Sequence, residues 1–333
     1  MALGSAAIGN LYEEVEEGTV VETVRAAWLG GVRYLDTAPH YGLGLAERRL
    51  GHAIRTLQIP REQIVISTKV GRLLAPLPTV EGWDMDAGFA VPRTHQRVWD
   101  FSARGVMRSL DDSCDRIGTD RVEIALLHDP DDHMEQAITE AFPALKSLRS
   151  HGQVAAIGAG MNNAPALARL VAECDLDIVM IAGRYSLLDQ SALDELLPIA
   201  LDRGTAVVVA GVFNSGVLAQ ASPDGQSTYD YTAAPREVVD RARRISDVCA
   251  DFDVSLAQAA VQFPLGHPAV VSIAIGPRSA AEARADIGWS SESVPLELWG
   301  ALQDKGLLRR DAPIPLGPQS VVPSRASEQR PLA

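Results

Sequence analysis

The chain has 333 residues, 47% of them hydrophobic, and a formal net charge of −13. This acidic balance argues against nucleic acid or an anionic membrane surface as the main partner, because both would repel the protein. The three cysteines, Cys114, Cys174 and Cys249, have no metal-ligand spacing, which favours free thiols and no metal centre. Because a secretory signal pattern and an apolar run of transmembrane length are both missing, we expect a cytoplasmic protein.

Short apolar runs alternate along the chain with longer segments of helical periodicity. The runs are nearly continuous in Val, Ile, Leu and Ala, which is typical of parallel strands buried on both faces. The predicted strands are Ala2–Ser5, Val32–Leu35, Ile64–Thr68, Glu123–Leu127, Val154–Ile157, Ile178–Ile181, Thr205–Ala210 and Val270–Ile275. The predicted helices include Thr19–Gly30, Ala46–Arg55, Ala103–Ile117, Met134–Ser150, Ala164–Glu173, Ala192–Asp202 and Arg236–Asp251. This alternation predicts one α/β domain, a (β/α)8 TIM barrel over residues 1–310.

An open, doubly wound sheet is the alternative arrangement for alternating strands and helices. Such a sheet usually carries a glycine fingerprint directly after its first strand. The first predicted strand here is followed by Ala-Ile-Gly-Asn, which does not match that fingerprint. The closed barrel is therefore favoured.

Two segments interrupt the alternation of strands and helices. Residues 72–100 form a long stretch rich in Pro, Gly and Trp, and we expect a packed loop insert, since long loops in compact domains are usually functional or disordered. Residues 311–333 repeat Pro and Ser with little periodicity, which predicts an extended or disordered tail.

Charged and polar residues end three of the predicted strands, where a barrel places its active site. Asp36, Lys69 and His128 each close a different apolar run, and Tyr41 follows Asp36 by five residues. A lysine beside a phenol favours the anionic form of the phenol and so brings the pKa of the phenol closer to working pH, while a carboxylate holds the lysine in place. Each residue alone has a structural explanation, as a turn cap, a packing residue or a solvated strand end. Their shared position predicts a proton-transfer site.

Three segments around these residues resemble the aldo-keto reductase family. They are VRYLDTAPHYGLGLAERRLGHAI, ISTKVG and LLHDPDD, and the resemblance extends over Leu3–Asp286. It implies a barrel, hydride transfer with a nicotinamide cofactor and no metal, and a catalytic tetrad of Asp36, Tyr41, Lys69 and His128. In this family the tyrosine is the general acid of carbonyl reduction or the base of alcohol oxidation.

Three later segments resemble the family's cofactor site. In IGAGMNN, which we expect to form a turn after a strand, Asn162 corresponds to the asparagine that binds the nicotinamide carboxamide, and Gly160 replaces a serine. GVFNSGVLA resembles the loop that covers the pyrophosphate, which implies contacts from Phe213, Asn214, Ser215, Gly216 and Leu218. In IAIGPRSAAEARAD, at the adenosine side, Gly276 replaces a lysine, Glu282 an arginine and Asp286 an asparagine. Losing two cations favours NAD over NADP, although Arg278 leaves NADP as an alternative.

The substrate is less constrained than the reaction. GSAAIGNLY, VWDFSARGVMRSL, HDPDDH, AGRYSLLDQ and GVFNSG resemble a bacterial branch of the family that acts on aldoses or on pyridoxal. The resemblance implies oxidation of an L-fucose-like aldose at C1 to the lactone, with pyridoxal dehydrogenation or general aldehyde reduction as alternatives. A cofactor-binding regulatory protein with little turnover is an alternative of another class. We expect a monomer or small homo-oligomer.

The insert is the predicted source of substrate contacts. Trp83 and Trp99 offer faces that stack on sugar C–H groups or on a pyridine ring, and Asp100 and Asp84 offer acceptors for hydroxyls. The tryptophans have a structural alternative, because they equally suit the hydrophobic interior of the insert itself.

Overall fold

The computed structural model describes residues 1–230 and 232–316. Within this part the strands are β1 (Ala2–Gly4), β2 (Tyr34–Asp36), β3 (Val65–Val70), β4 (Arg72–Pro76), β5 (His95–Trp99), β6 (Ile124–His128), β7 (Ala156–Met161), β8 (Ile178–Ala182), β9 (Ala206–Ala210), β10 (Thr228–Tyr229), β11 (Thr232–Ala233) and β12 (Val270–Ile275). Eight of them, β1, β2, β3, β6, β7, β8, β9 and β12, pair in parallel, and β12 returns to β1 to close a barrel. The predicted single-domain (β/α)8 fold is confirmed.

The helices lie around the barrel. They are α1 (Glu17–Leu29), α2 (Leu45–Thr56), α3 (Ala103–Ile117), α4 (Met134–Gln136), α5 (Phe142–Ser150), α6 (Ala164–Glu173), α7 (Leu196–Arg203), α8 (Arg236–Ala250), α9 (Leu256–Gln262), α10 (Ala280–Ser291) and α11 (Leu296–Asp304). Among the residues described, no helix combines the length and the apolar character needed to cross a bilayer.

One predicted helix, Met134–Ser150, is interrupted. A π-helical turn at Ala137–Ala141 separates α4 from α5, and Pro143 is the second residue of α5. Proline has no N–H to donate within a helix and is tolerated only in the first turn of a helix. A new helix therefore begins at Phe142.

The strand at IGAGMNN is longer than expected. Its glycines were expected in a turn, but Gly158 and Gly160 lie inside β7 and pair with Ile178 and Met180. A Cβ at Gly158 would overlap the carbonyl oxygen of Ile178, so glycine permits the close approach of β7 and β8.

Alternation along the strands separates two hydrophobic regions. The side chains that fill the barrel interior are those of Ala2, Ile124, Leu126, Ile178, Met180, Val208 and Ala274. Intervening residues such as Ile66, Leu127 and Val179 face the helices in the larger core. The interior-facing series therefore continues to Asp36, Lys69, His128 and Gly160 at the carboxyl ends of the strands.

The stretch predicted as a loop insert contains an antiparallel hairpin. β4 pairs with β5 from Arg72 opposite Trp99 to Pro76 opposite His95. Phe89 and Val91, from the connection between the two strands, pack with Leu74 and with Leu43 next to the barrel mouth. Burial of these apolar side chains orders the insert over one side of the mouth. Of the predicted tail, residues 317–333 lie outside the described residues.

Candidate active site

Asp36 and Lys69 form a buried ion pair on neighbouring strands. Lys69 Nζ donates to Asp36 Oδ2 at 2.8 Å and to the carbonyl of Thr37 at 3.0 Å. Ser67 Oγ donates to the other carboxylate oxygen at 2.6 Å. The two charged side chains are only 3% and 4% exposed. Burial acts to lower the pKa of Lys69, but Asp36 and Tyr41 together outweigh it and raise that pKa, so the lysine is held as a cation.

Tyr41 lies directly over this lysine. Lys69 Nζ is 4.7 Å from the centroid of the Tyr41 ring. Burial raises the pKa of Tyr41, and the positive charge of Lys69 opposes this increase without cancelling it. The expected downward shift of the phenol pKa is therefore wrong for this structure, because desolvation of the phenolate is the larger effect. The arrangement keeps the phenol protonated and ready to donate.

His128 completes the cluster from β6. Its ring is nearly perpendicular to the Tyr41 ring, at 85°, with centroids 6.1 Å apart. Burial, followed by the charges of Arg72 and Lys69, lowers the pKa of His128 well below its usual value, so the ring is neutral. Its buried Nδ1 has no hydrogen-bond partner among the described residues. A neutral imidazole here can hold a substrate oxygen without competing for the proton.

The tryptophans of the insert lie on its outside. Trp99 is 43% and Trp83 51% exposed, whereas Phe89 is 2% exposed and supplies the interior of the insert. Trp99 lies 5.3 Å from the guanidinium of Arg72, which forms an ion pair with Asp129 beside His128. Trp99 is therefore linked through Arg72 and Asp129 to the neighbourhood of His128.

The two aspartates of the insert are engaged by protein groups. Asp84 is bound by both terminal nitrogens of Arg97, at 2.8 and 2.6 Å. Asp100 accepts a hydrogen bond from the Ser102 amide at 3.0 Å and packs against Gly105 in the first turn of α3. The contacts of both carboxylates are those of structural groups, and binding of a substrate by Asp100 stays a prediction.

Gly160 and Asn162 lie next to the cluster, since Gly160 of β7 pairs with His128 of β6. A Cβ built on Gly160 would lie 3.5 Å from Lys69 Cε, an ordinary contact, so the missing serine side chain leaves space beside the lysine. Asn162 directly follows β7 and is exposed, and its carbonyl accepts from Arg184 Nε at 2.9 Å. The same arginine binds Asp230 of the β10–β11 hairpin. The loops after β7, β8 and β9 are thereby tied together.

The predicted pyrophosphate loop forms a tight turn of left-handed residues. Asn214, Ser215 and Gly216 have φ values of 44°, 58° and 101°, and the amides of Asn214 and Gly216 donate within the turn to backbone carbonyls at 2.9 and 3.0 Å. Asn214 Nδ2 donates to the Gly183 carbonyl at 3.1 Å, while its buried Oδ1 has no partner in the part of the chain described here. An acceptor of this kind suits a hydroxyl donor of a ligand, so these residues fit a dinucleotide.

Two apolar members of this loop are packing residues. Phe213 lies edge-on against Trp289 of α10, with ring centroids 6.4 Å apart. Leu218 is completely buried. Contact with a cofactor through the Leu218 side chain would require the loop to move.

Negative charge dominates the predicted adenosine end. Glu282, in the first turn of α10, accepts a hydrogen bond from the Arg278 amide at 2.8 Å. Burial, with Glu282 as the next cause, raises the pKa of Asp286 to about 7. The Arg278 guanidinium lies 3.4 Å from Glu13, so its charge is already countered. Gly276 follows β12 and adds no charge.

Several residues that surround the site were not predicted from the sequence. Glu47, which is fully buried, accepts a hydrogen bond from Thr68, the residue before Lys69, and binds Arg116 of α3. His40 is bound by Arg97. His40 lies in the DTAPHYG segment immediately before Tyr41, so its position was a usable signal. No local pattern reveals Arg97, because its contact depends on the register of the β4–β5 hairpin.

Fold and site together define an oxidoreductase built on a (β/α)8 barrel. The sequence profile of the Aldo/keto reductase family matches residues 1–304, and the chain belongs to this family. It is a nicotinamide-dependent oxidoreductase that acts on a small molecule.

Known proteins similar to the chain include two bacterial dehydrogenases. D-threo-aldose 1-dehydrogenase of Pseudomonas sp is 42% identical over 311 residues, covering 92% of this chain and 94% of the relative. Pyridoxal 4-dehydrogenase of Microbacterium luteolum is 41% identical over 327 residues, with the same coverage of 92% and 94%. Among solved structures, the holo form of aldo-keto reductase AKR11C1 from Bacillus halodurans superposes with a TM-score of 0.72 at 22% identity, over 93% of this chain and 92% of that one. At that identity the last match supports the fold alone.

Proposed function

We propose that this aldo/keto reductase oxidises an L-fucose-like aldose at C1 to the lactone, with NAD as its cofactor. The observation that carries the proposal is the buried Lys69–Asp36 pair under Tyr41, with the neutral His128 ring 6.1 Å from the tyrosine ring. The identity of 42% to a D-threo-aldose 1-dehydrogenase supports the choice of an aldose.

The proposed roles follow from the charges of these groups. His128 holds the anomeric oxygen, and the oxygen of Tyr41 takes its proton as a general base. Lys69 stabilises the phenolate form of Tyr41 that accepts this proton, and Asp36 keeps the lysine charged and in position. In carbonyl reduction the same phenol donates the proton instead. When bound, the nicotinamide accepts or supplies the hydride.

The groups proposed to hold the cofactor lie along one side of the mouth. Asn162 is the candidate for the carboxamide, the left-handed turn at 214–216 for the pyrophosphate, and Asp286 for the adenosine. Glu282, together with Asp286 in its ionised form, would repel a 2′-phosphate, while a carboxylate accepts hydrogen bonds from a ribose diol. These charges support NAD over NADP.

Pyridoxal is the second candidate substrate. Tyr41 of the tetrad forms an aromatic group with Phe89 and His40, with centroid distances between 5.3 and 6.2 Å. Such a group suits a flat pyridine ring. The 41% identity to a pyridoxal 4-dehydrogenase supports the same choice.

Turnover assays decide between these functions. Purified protein is mixed with NAD or NADP and L-fucose, L-galactose, D-arabinose or pyridoxal, and reduced nicotinamide is followed by its absorbance. We expect the largest kcat/KM for L-fucose with NAD. A larger value for pyridoxal would replace the aldose proposal. Cofactor binding without turnover of any substrate or simple aldehyde would favour a regulatory protein.

A further inference from the structure

His40 is held by an arginine from the insert. Arg97 Nε donates to His40 Nδ1 at 2.5 Å, and a terminal nitrogen donates to the His40 carbonyl at 3.1 Å. Both terminal nitrogens also bind Asp84, whose side chain is 4% exposed. The guanidinium is therefore fixed on two sides, and the histidine ring has little freedom to rotate.

This contact determines where the ring carries its proton. Arginine is always a donor in proteins, so Nδ1 of His40 must be the acceptor and the proton lies on Nε2. Burial and the charge of Arg97 lower the pKa of His40 to about 2, so the ring stays neutral. Nε2 has no hydrogen-bond partner among the described residues. It is an oriented and unused N–H donor.

The donor belongs to the same ring cluster as the tetrad. The centroid of the His40 ring is 6.0 Å from that of Tyr41 and 5.6 Å from that of His128, and these two are 6.1 Å apart. The three rings thus form a nearly equilateral triangle. When Tyr41 and His128 hold a substrate oxygen, the substrate atoms next to that oxygen come within reach of His40.

We propose that His40 is a substrate-binding residue whose Nε2–H donates to an oxygen on the carbon next to the reacting carbon, so that the site selects α-hydroxy aldehydes and aldoses. Arg97 is the positioning residue that fixes the donor. The inference rests on the proposed function, since it concerns the substrate of the same tetrad. A neutral donor suits a hydroxyl oxygen, and the analogue without this oxygen leaves the N–H unpaired.

Two aldehydes of similar size test this proposal. Glycolaldehyde carries the adjacent hydroxyl, and propionaldehyde has a methyl group in its place. The kcat/KM for reduction by NADH is measured for both aldehydes with the wild-type protein and with His40→Gln, His40→Asn and His40→Phe. The amide of Gln reaches the position of Nε2 and can donate there, whereas that of Asn reaches only the position of Nδ1.

The two roles of His40 predict opposite orders. With a substrate-binding role, His40→Gln keeps the wild-type preference for glycolaldehyde within about 3-fold. In His40→Asn and His40→Phe this preference falls by about 10-fold, because kcat/KM falls for glycolaldehyde and not for propionaldehyde. With a purely structural role, His40→Asn retains the contact to Arg97 and performs best. That order, or equal losses on both aldehydes, would overturn the inference.

Folding and cofactor binding are checked separately. Thermal unfolding and quenching of NADH fluorescence are measured for each variant, and we expect all four proteins to bind NADH alike. If the wild-type protein reduces neither aldehyde, the inference is overturned, and the oxidation of L-fucose with NAD, measured alongside, shows whether the proposed function fails with it. Reduction of both aldehydes without a preference overturns the inference only.

Discussion

Lys69 Nζ lies 2.8 Å from Asp36 Oδ2 in the barrel interior, and both side chains are almost completely shielded from water. A buried charge without its partner is strongly destabilising. We expect Asp36→Asn to lower the free energy of unfolding by about 3 kcal/mol, measured by urea denaturation. As a control, Glu22→Gln breaks the exposed pair with Arg25 and should change it by less than about 1 kcal/mol. Equal small effects would mean that the buried pair is not maintained in solution.

Tyr41→Phe removes the proposed proton-transfer group and leaves the ring. Turnover should fall by at least about 100-fold, while the dissociation constant for NADH, measured by fluorescence, stays within about 2-fold. Tyr185→Phe is the matched control, because the Tyr185 hydroxyl is buried away from the tetrad and has no partner among the described residues. Retained activity in Tyr41→Phe would remove this residue from its role.

The pH dependence of the two reaction directions should differ. Burial raises the pKa of Tyr41, so the phenol that donates in reduction is present across neutral pH, whereas the phenolate needed for oxidation is scarce. We expect kcat for aldose oxidation to rise between pH 7 and pH 9 by up to about 10-fold per pH unit, and kcat for reduction to stay nearly constant. A plateau of the oxidation rate below pH 8 would contradict this assignment.

Glu282→Arg should move cofactor preference toward NADP. The substitution replaces a charge that repels a 2′-phosphate with one that attracts it. We expect the ratio of kcat/KM for NADP to that for NAD to rise by about 10-fold or more. Glu297→Arg makes the same charge change in the first turn of α11, at an exposed position outside the site, and should leave the ratio unchanged. If Glu282→Arg behaves like this control, the adenosine segment is wrongly assigned.

Asp286 should make the protein less stable as the pH rises. Its pKa is about 7 in the folded chain and 3.8 in the unfolded chain, so the folded state binds more protons between these values and stability falls through this window. Asp286→Asn should flatten the dependence and stabilise the protein at pH 8 by at most about 4 kcal/mol. Urea denaturation at pH 5 and pH 8 measures this, with the exposed Asp304→Asn as control. Parallel stability curves for wild type and Asp286→Asn would refute the assignment.

The sequence predicted the barrel because its strands are long enough and apolar enough to be recognised separately. Errors arose where local and tertiary effects compete. The glycines at 158 and 160 indicate a turn when considered alone, yet they lie in β7, since only a glycine at 158 lets the β8 backbone approach. The aromatic insert was expected as a loop, and pairing between residues 72–76 and 95–99 makes its ends a hairpin.

The sequence by itself determined that Asp36, Lys69 and His128 lie together at the barrel mouth. Each of them ends an apolar run, and parallel strands bring their carboxyl ends to one mouth. The state of these groups was decided only by the tertiary structure. Burial raises the pKa of Tyr41 against the effect of Lys69, a balance that residue order does not contain. The contact between His40 and Arg97 likewise requires the β4–β5 register, in which Arg97 lies opposite Leu74. A short-range pattern specifies where a strand ends, whereas a contact between residues 57 positions apart depends on how the intervening chain packs.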